Sequence, residues 1–85
     1  MQNKRFMVNA IKTGAHIRSL VYQSGMTVEQ LSEVIGTASP QAIYKWCRGE
    51  TLPAIDNQLA LVSILGLERL DELFVLDEWE DEIYE

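Results

Sequence analysis

The sequence is poor in the residues from which most catalytic and metal sites are built. Among its 85 residues there is one cysteine, Cys47, and one histidine, His16. A single cysteine excludes an internal disulfide and a cysteine-cluster metal site. A single histidine leaves no partner for a histidine-based metal site or a catalytic triad. Glycine-rich phosphate loops are absent as well. We therefore expect no cofactor, no metal and no enzymatic activity.

Long apolar runs are also missing. No stretch approaches the roughly 20 apolar residues that a membrane span needs. The first residues, MQNKRFMVNAIK, lack the apolar core and cleavage site of a signal peptide. The length suits one small domain, and the apolar fraction of 47% is that of a folded chain. We therefore expect a cytoplasmic protein that makes no use of a membrane.

Positive charge is scarce overall, but it is not evenly spread. The net charge is −6, yet residues 1–26 carry four bases and no acid, whereas residues 57–85 carry one base and nine acids. Residues 1–56 alone are therefore mildly basic. Such asymmetry is typical of a chain that combines a working domain with an acidic appendage.

Strand-type alternation of apolar and polar residues is absent as well, and apolar residues recur at helical spacing almost throughout. The pattern predicts an all-α domain, a compact arrangement of five helices. The first helix could also begin after Asn9, and the fourth has a broad apolar face that includes Leu59. The predicted helices cover residues 13–24, 27–35, 39–48, 55–65 and 68–75.

The third predicted helix follows a connection of about three residues, which is typical of a helix-turn-helix. Its sequence, SPQAIYKWCRGE, begins with a serine cap followed by proline at the first helical position. Ile43, Trp46 and Cys47 recur at i, i+3 and i+4 and should face the core. Cys47 is then a small buried hydrophobe rather than a redox sensor.

The opposite face of this helix is polar and carries no acid. Gln41, Tyr44, Lys45 and Arg48 form one stripe, with the small Ala42 beside it. Gln can bond bidentately to adenine, and Lys or Arg can bond to guanine or phosphate. A polar face is also what any surface helix shows. Together with the short turn and the capped start, however, the stripe favours DNA binding in the major groove.

Residues 11–75 resemble the Xre-type, lambda-repressor-like helix-turn-helix family. The strongest match is PQAIYKWCRGETLPAIDNQLALVSILGL, with its Lys-Trp, Arg-Gly, later Pro and Leu-rich fourth helix. The resemblance implies a transcriptional repressor that binds double-stranded operator DNA as a homodimer, with the third helix in the major groove. The implied DNA-binding residues are Thr27, Thr37, Ser39, Gln41, Ala42, Tyr44, Lys45 and Arg48.

The sequence thus divides into an N-terminal arm (1–10), a helix-turn-helix domain (11–76) and an acidic tail (77–85). The tail, DEWEDEIYE, holds six acids among nine residues. It could be a disordered solubilising end. It could be an acidic helix, with Trp79 and Ile83 four residues apart, that docks on a protein partner or second subunit. It could also mask the basic helix. The alternative function is therefore a protein-interaction module, antitoxin-like or an adaptor, that uses this acidic surface.

Overall fold

The computed structural model describes residues 2–82, with side chains for residues 4–78. These residues are mostly helical, as predicted, but they form four α-helices, one short 3-10 turn and a two-stranded sheet. A fifth α-helix is therefore not confirmed, and the fold is not purely α. None of the described helices is long and apolar enough to cross a bilayer. The elements in chain order are β1 (Gln2–Val8), α1 (Ala10–Ser24), α2 (Val28–Ile35), α3 (Pro40–Cys47), α4 (Ile55–Ile64), the 3-10 turn (Leu70–Leu73) and β2 (Leu76–Glu82).

The first three helices begin at side-chain caps. Asn9 Oδ1 accepts from the Lys12 amide at 2.9 Å, so α1 begins earlier than residue 13. Thr27 Oγ1 accepts from the Gln30 amide at 3.1 Å, and the Gln30 side chain accepts from the Thr27 amide at 2.9 Å. This reciprocal pair is the predicted capping box. The predicted cap of α3 is also confirmed, because Ser39 Oγ accepts from the Ala42 amide at 3.1 Å.

The core takes one fully buried aliphatic side chain from each helix and one from the 3-10 turn. All five are 0% exposed. Burying such a side chain stabilises the folded state by about 1.5–3 kcal/mol. Because every helical element contributes one, the core joins all of them. The five residues are Ile17, Leu31, Ile43, Leu61 and Leu73.

The predicted inward face of α3 is confirmed, with Trp46 4% and Cys47 7% exposed beside Ile43. The broad apolar face of α4 is only partly buried, because Leu59 is 53% exposed.

Two glycines allow α1 to lie very close to the end of α3. A Cβ on Gly14 would stand 2.3 Å from the Trp46 carbonyl oxygen and 2.6 Å from that of Cys47. Gly49 has φ +74°, and a Cβ there would stand 2.6 Å from the Ile11 Cα. Side chains at either position would push the helices apart, so glycine at both sites fixes the position of α3 against α1.

The predicted fifth helix is reduced to one 3-10 turn, because Phe74 is extended (φ −107°, ψ 151°) and Val75 is bonded to residues at the start of α1. The Val75 amide donates to Thr13 Oγ1 at 2.9 Å, and the Thr13 hydroxyl lies 3.3 Å from the Val75 carbonyl oxygen. That carbonyl also accepts from the Asn9 amide at 2.9 Å. Thr13 is fully buried, so these bonds are protected from water and stop the helical turn before residue 75.

The two strands, which we call the ribbon, come from the segments read as arm and tail. β1 pairs antiparallel with β2 in continuous register from Gln2 opposite Glu82 to Val8 opposite Leu76. Residues 77–82 are therefore neither a docking helix nor a disordered end, and they pair with β1 rather than covering α3. Ile83, the second apolar residue of the predicted docking helix, lies outside the described residues, as does the side chain of Trp79.

Candidate nucleic-acid interface

The α2–α3 unit has the geometry of a helix-turn-helix with a fixed turn. Gly36 ends α2 in the left-handed conformation with φ +76°. Ser32 Oγ donates to the Ala38 carbonyl oxygen at 2.6 Å, which ties the turn back to α2. Thr37 Oγ1 donates to Asn57 Oδ1 at 2.5 Å, which ties it forward to α4. Two helices, α2 and α4, therefore determine where α3 begins.

The structure brings most of the sequence-predicted residues to the surface of this unit. Ala42 alone is half-buried and packs against the core, as its small size allows. Gln41 and Lys45 extend from α3 one turn apart. Thr37 is committed to Asn57, so its hydroxyl is less available than the sequence suggests. The exposed members are Thr27, Thr37, Ser39, Gln41, Tyr44, Lys45 and Arg48.

Tyr44 is held in place by an acid from the neighbouring helix. Its hydroxyl donates to Glu29 Oε2 at 3.3 Å, and the ring is 39% exposed. The negative charge of Glu29 raises the pKa of the Tyr44 phenol, with smaller contributions from burial and the hydrogen bond. The phenol therefore stays protonated at neutral pH and remains a hydrogen-bond donor.

Arg48 also has an acidic neighbour. Its guanidinium donates to the Glu50 carboxylate, and both side chains are half-exposed. The hydrogen bond from Arg48 lowers the pKa of Glu50, and the same bond raises the pKa of Arg48. An exposed pair of this kind contributes little to stability, so a phosphate can replace the carboxylate at small cost.

A further base, Arg18, lies near this surface, and the sequence reading missed it. Burial raises the pKa of the Cys47 thiol, and Arg18 opposes that change through a hydrogen bond and its charge. Its charge also opposes the raised pKa of Tyr44. Arg18 lies one helical turn after Gly14, the residue that lets α1 approach α3. Its proximity to α3 arises only when α1 packs against that helix, so the sequence alone did not indicate it.

The face therefore presents hydrogen-bond donors of several kinds next to three bases and two acids. The Gln41 amide can bond bidentately to adenine, and the cationic groups can bond to guanine or phosphate. The Thr27 and Ser39 oxygens accept backbone bonds, which leaves their hydroxyl protons free to donate to phosphate. The bases are Arg18, Lys45 and Arg48, and the acids are Glu29 and Glu50. These groups suit the binding of a polyanion along α3.

Comparison with known protein families gives one clear result. The helix-turn-helix family model matches residues 17–73, a span that includes all four helices in whole or part and ends with the 3-10 turn. Neither strand of the ribbon lies inside the matched region. Searches of curated proteins and of solved structures found no match. The match confirms the resemblance seen in the sequence: the chain belongs to the Xre-type, lambda-repressor-like helix-turn-helix family of DNA-binding regulators.

Proposed function

We propose that this protein is a transcriptional repressor that binds specific duplex DNA sequences with α3 in the major groove. The observation that carries the proposal is the exposed stripe of Gln41, Tyr44, Lys45 and Arg48 on a capped helix behind a fixed turn. The two ends of the stripe have different roles. Gln41 in the first turn and Tyr44 in the middle of the helix contact base edges, whereas Arg48 at its end contacts phosphate.

A homodimer follows from the size of this helix. α3 has eight residues, and a recognition helix of that length reaches only a few base pairs. Two copies related by a two-fold axis read half-sites about 34 Å apart, which multiplies the specificity of one copy. Binding is then a two-subunit event on a partly symmetric operator.

Two acids, Glu29 and Glu50, bind donors of the proposed interface when DNA is absent. In free protein they hold Tyr44 and Arg48. On DNA, phosphates compete for the same donors and the carboxylates are repelled. Replacing Glu50 by Gln should strengthen binding to all sequences by several-fold, because one repulsive charge is removed and Arg48 is released. Weaker binding by this variant would contradict the assignment of Arg48 to phosphate.

The decisive experiment is selection from random-sequence duplex DNA at low salt with the purified protein. The expected outcome is one enriched, partly palindromic motif. Gln41→Ala should then lose about 1–3 kcal/mol of discrimination at one position of the motif while still binding DNA. Arg48→Ala should weaken all sequences alike and reduce the salt dependence of binding by roughly one ion. An unenriched pool would refute the proposal.

Matched control variants on α1 distinguish direct contacts of α3 with DNA from a general effect of positive charge. Gln23 is an exposed glutamine on α1, and Lys12 is an exposed lysine in its first turn. Gln23→Ala should leave the motif unchanged, and Lys12→Ala should weaken binding less than Lys45→Ala. If Lys12→Ala and Lys45→Ala have equal effects, the protein binds through its overall charge and not through α3.

One observation supports a second candidate, the protein-interaction module. β2 carries five acids in seven residues and has an outer edge without a neighbouring strand among the described residues. An extended segment of another protein could add to such an edge. If neither the intact protein nor the Glu50→Gln variant is retained on any duplex, the protein-interaction module replaces the DNA-binding repressor as the proposed function.

A further inference from the structure

The ribbon makes too few packing contacts with the helices to account for its stability. An isolated two-stranded sheet is marginally stable in water. Neither strand packs broadly on a helix, and several of its apolar side chains face solvent. Phe6 is 62% exposed, Met7 59% and Leu76 47%. The radius of gyration of 15.0 Å exceeds the roughly 12 Å of a compact domain of this length. The ribbon is therefore a projecting sheet with uncovered apolar surface.

Both strands are also edge strands. Within the described residues the sheet contains only β1 and β2, so each has an outer side with no strand beside it. Such sides carry unpaired backbone donors and acceptors that can pair with another strand. The family match ends before the ribbon on both sides, so the helix-turn-helix itself does not account for it.

Charge distinguishes the two edges. β2 has five acids, and pairing it with β2 of a second copy would set these carboxylates against the same five. Like charges directly opposite each other are destabilising, and charged residues are a common protection of sheet edges. β1 has two bases and no acid, and its last three residues are Phe6, Met7 and Val8. Lys4 is already paired with Glu78 at 3.5 Å, which reduces repulsion between two β1 strands. The β1 edge is therefore the one open to pairing with a second copy.

We propose that β1 pairs antiparallel with β1 of a second copy, so that the two ribbons form one four-stranded sheet with the acidic β2 strands outermost. The acids on those outer strands stop further addition, which limits the assembly to two copies. This inference names the contact in the proposed dimer, but it does not require DNA. It can therefore fail while the DNA proposal stands.

The register follows from side-chain alternation and charge. A two-fold axis perpendicular to the sheet passes midway between one residue of β1 and its own copy, which lie opposite each other. An axis at Lys4 or Arg5 would oppose two like cations. An axis at Phe6 instead opposes two aromatic rings, and it places Met7 opposite Arg5 and Val8 opposite Lys4. An axis at Asn3 or Met7, or nearer either end, would pair no more than three residues of β1 with its copy, because the strand spans Gln2–Val8. The dimer axis therefore lies midway between the two copies of Phe6.

Disulfide trapping tests this register directly. Residues directly opposite in an antiparallel pair have Cα atoms about 4.5–5.5 Å apart, within the range of a disulfide. Phe6→Cys should therefore yield a covalent dimer on mild oxidation. Glu78→Cys is the matched control on the same face of the ribbon, because its two copies would be separated by three strand spacings, roughly 14 Å. Wild-type protein supplies the background, since Cys47 is buried.

Sedimentation equilibrium without DNA gives an independent test. Phe6→Lys keeps the ribbon, because position 6 lies opposite Glu78, but it opposes two ammonium groups at the axis. It should weaken dimerisation by about tenfold or more. Leu59→Lys, at a similarly exposed apolar position on α4, should leave the dimer unchanged. The proposal is overturned by equal trapping of Phe6→Cys and Glu78→Cys, by no trapping of either, or by a dimer lost in Leu59→Lys and kept in Phe6→Lys.

Discussion

The helical body and the ribbon are stabilised in opposite ways. The body has a fully buried aliphatic residue from every helix, whereas Phe6 and Met7 of the ribbon are more than half exposed. The body is held by apolar burial, and the ribbon by backbone pairing and by bonds at its base. The difference indicates two roles: the body positions α3, and the ribbon offers surface to another molecule.

Truncating one apolar side chain in each region tests this contrast most strongly. Leu31→Ala removes a side chain that is 0% exposed and should lower the free energy of unfolding by about 2–5 kcal/mol. Phe6→Ala should lower it by less than about 1 kcal/mol at a concentration where the protein is monomeric, because the ring is already solvated. Urea denaturation followed by circular dichroism measures both. Similar losses would show that the ribbon shares the core.

A substitution at the joint between the two regions should have an intermediate effect. Thr13→Val keeps the shape but leaves the half-buried Val75 amide without its acceptor, which should cost about 1–3 kcal/mol. Hydrogen exchange should also become faster in the ribbon amides. Thr37→Val is the matched control, since the Thr37 hydroxyl is exposed, and should cost under about 0.5 kcal/mol. Unchanged exchange in Thr13→Val would mean that the ribbon does not depend on this anchor.

The smallest effect should come from the ion pair across the ribbon. Lys4 and Glu78 are 62% and 49% exposed, so Lys4→Gln should lower the free energy of unfolding by at most about 0.5 kcal/mol. The difference from wild type should vanish in about 1 M salt, where the screening length is about 3 Å. Lys12→Gln on α1 is the control. A loss that persists in high salt would indicate packing by the lysine stem instead of charge.

The helices of the body could be predicted from the sequence because the patterns that indicate them are local. Thr27 and Ser39 mark helix starts through residues three positions away, and Ile43, Trp46 and Cys47 repeat at helical spacing. The same logic located the exposed stripe on α3. These features require no knowledge of the rest of the fold.

The ribbon could not be predicted because none of the ribbon side chains that the structure describes, 4–8 and 76–78, is buried. Alternation of apolar and polar residues along a strand is expected only when one face is buried. The fifth helix was predicted wrongly because Val75 is bonded to Thr13, which lies 62 residues away in the chain. Arg18 and Glu29 were missed at the interface because their proximity to α3 exists only after the helices pack.

The position of the two strands in the chain has a consequence for folding. Val8 pairs with Leu76, so the body lies between the two halves of the ribbon. Closing so long a loop costs entropy that only a folded body can offset, since that body already brings the ends together. The edge that we assign to self-association therefore forms last, and a chain with a misfolded body would not display it. Assembly into dimers would then select for correctly folded copies.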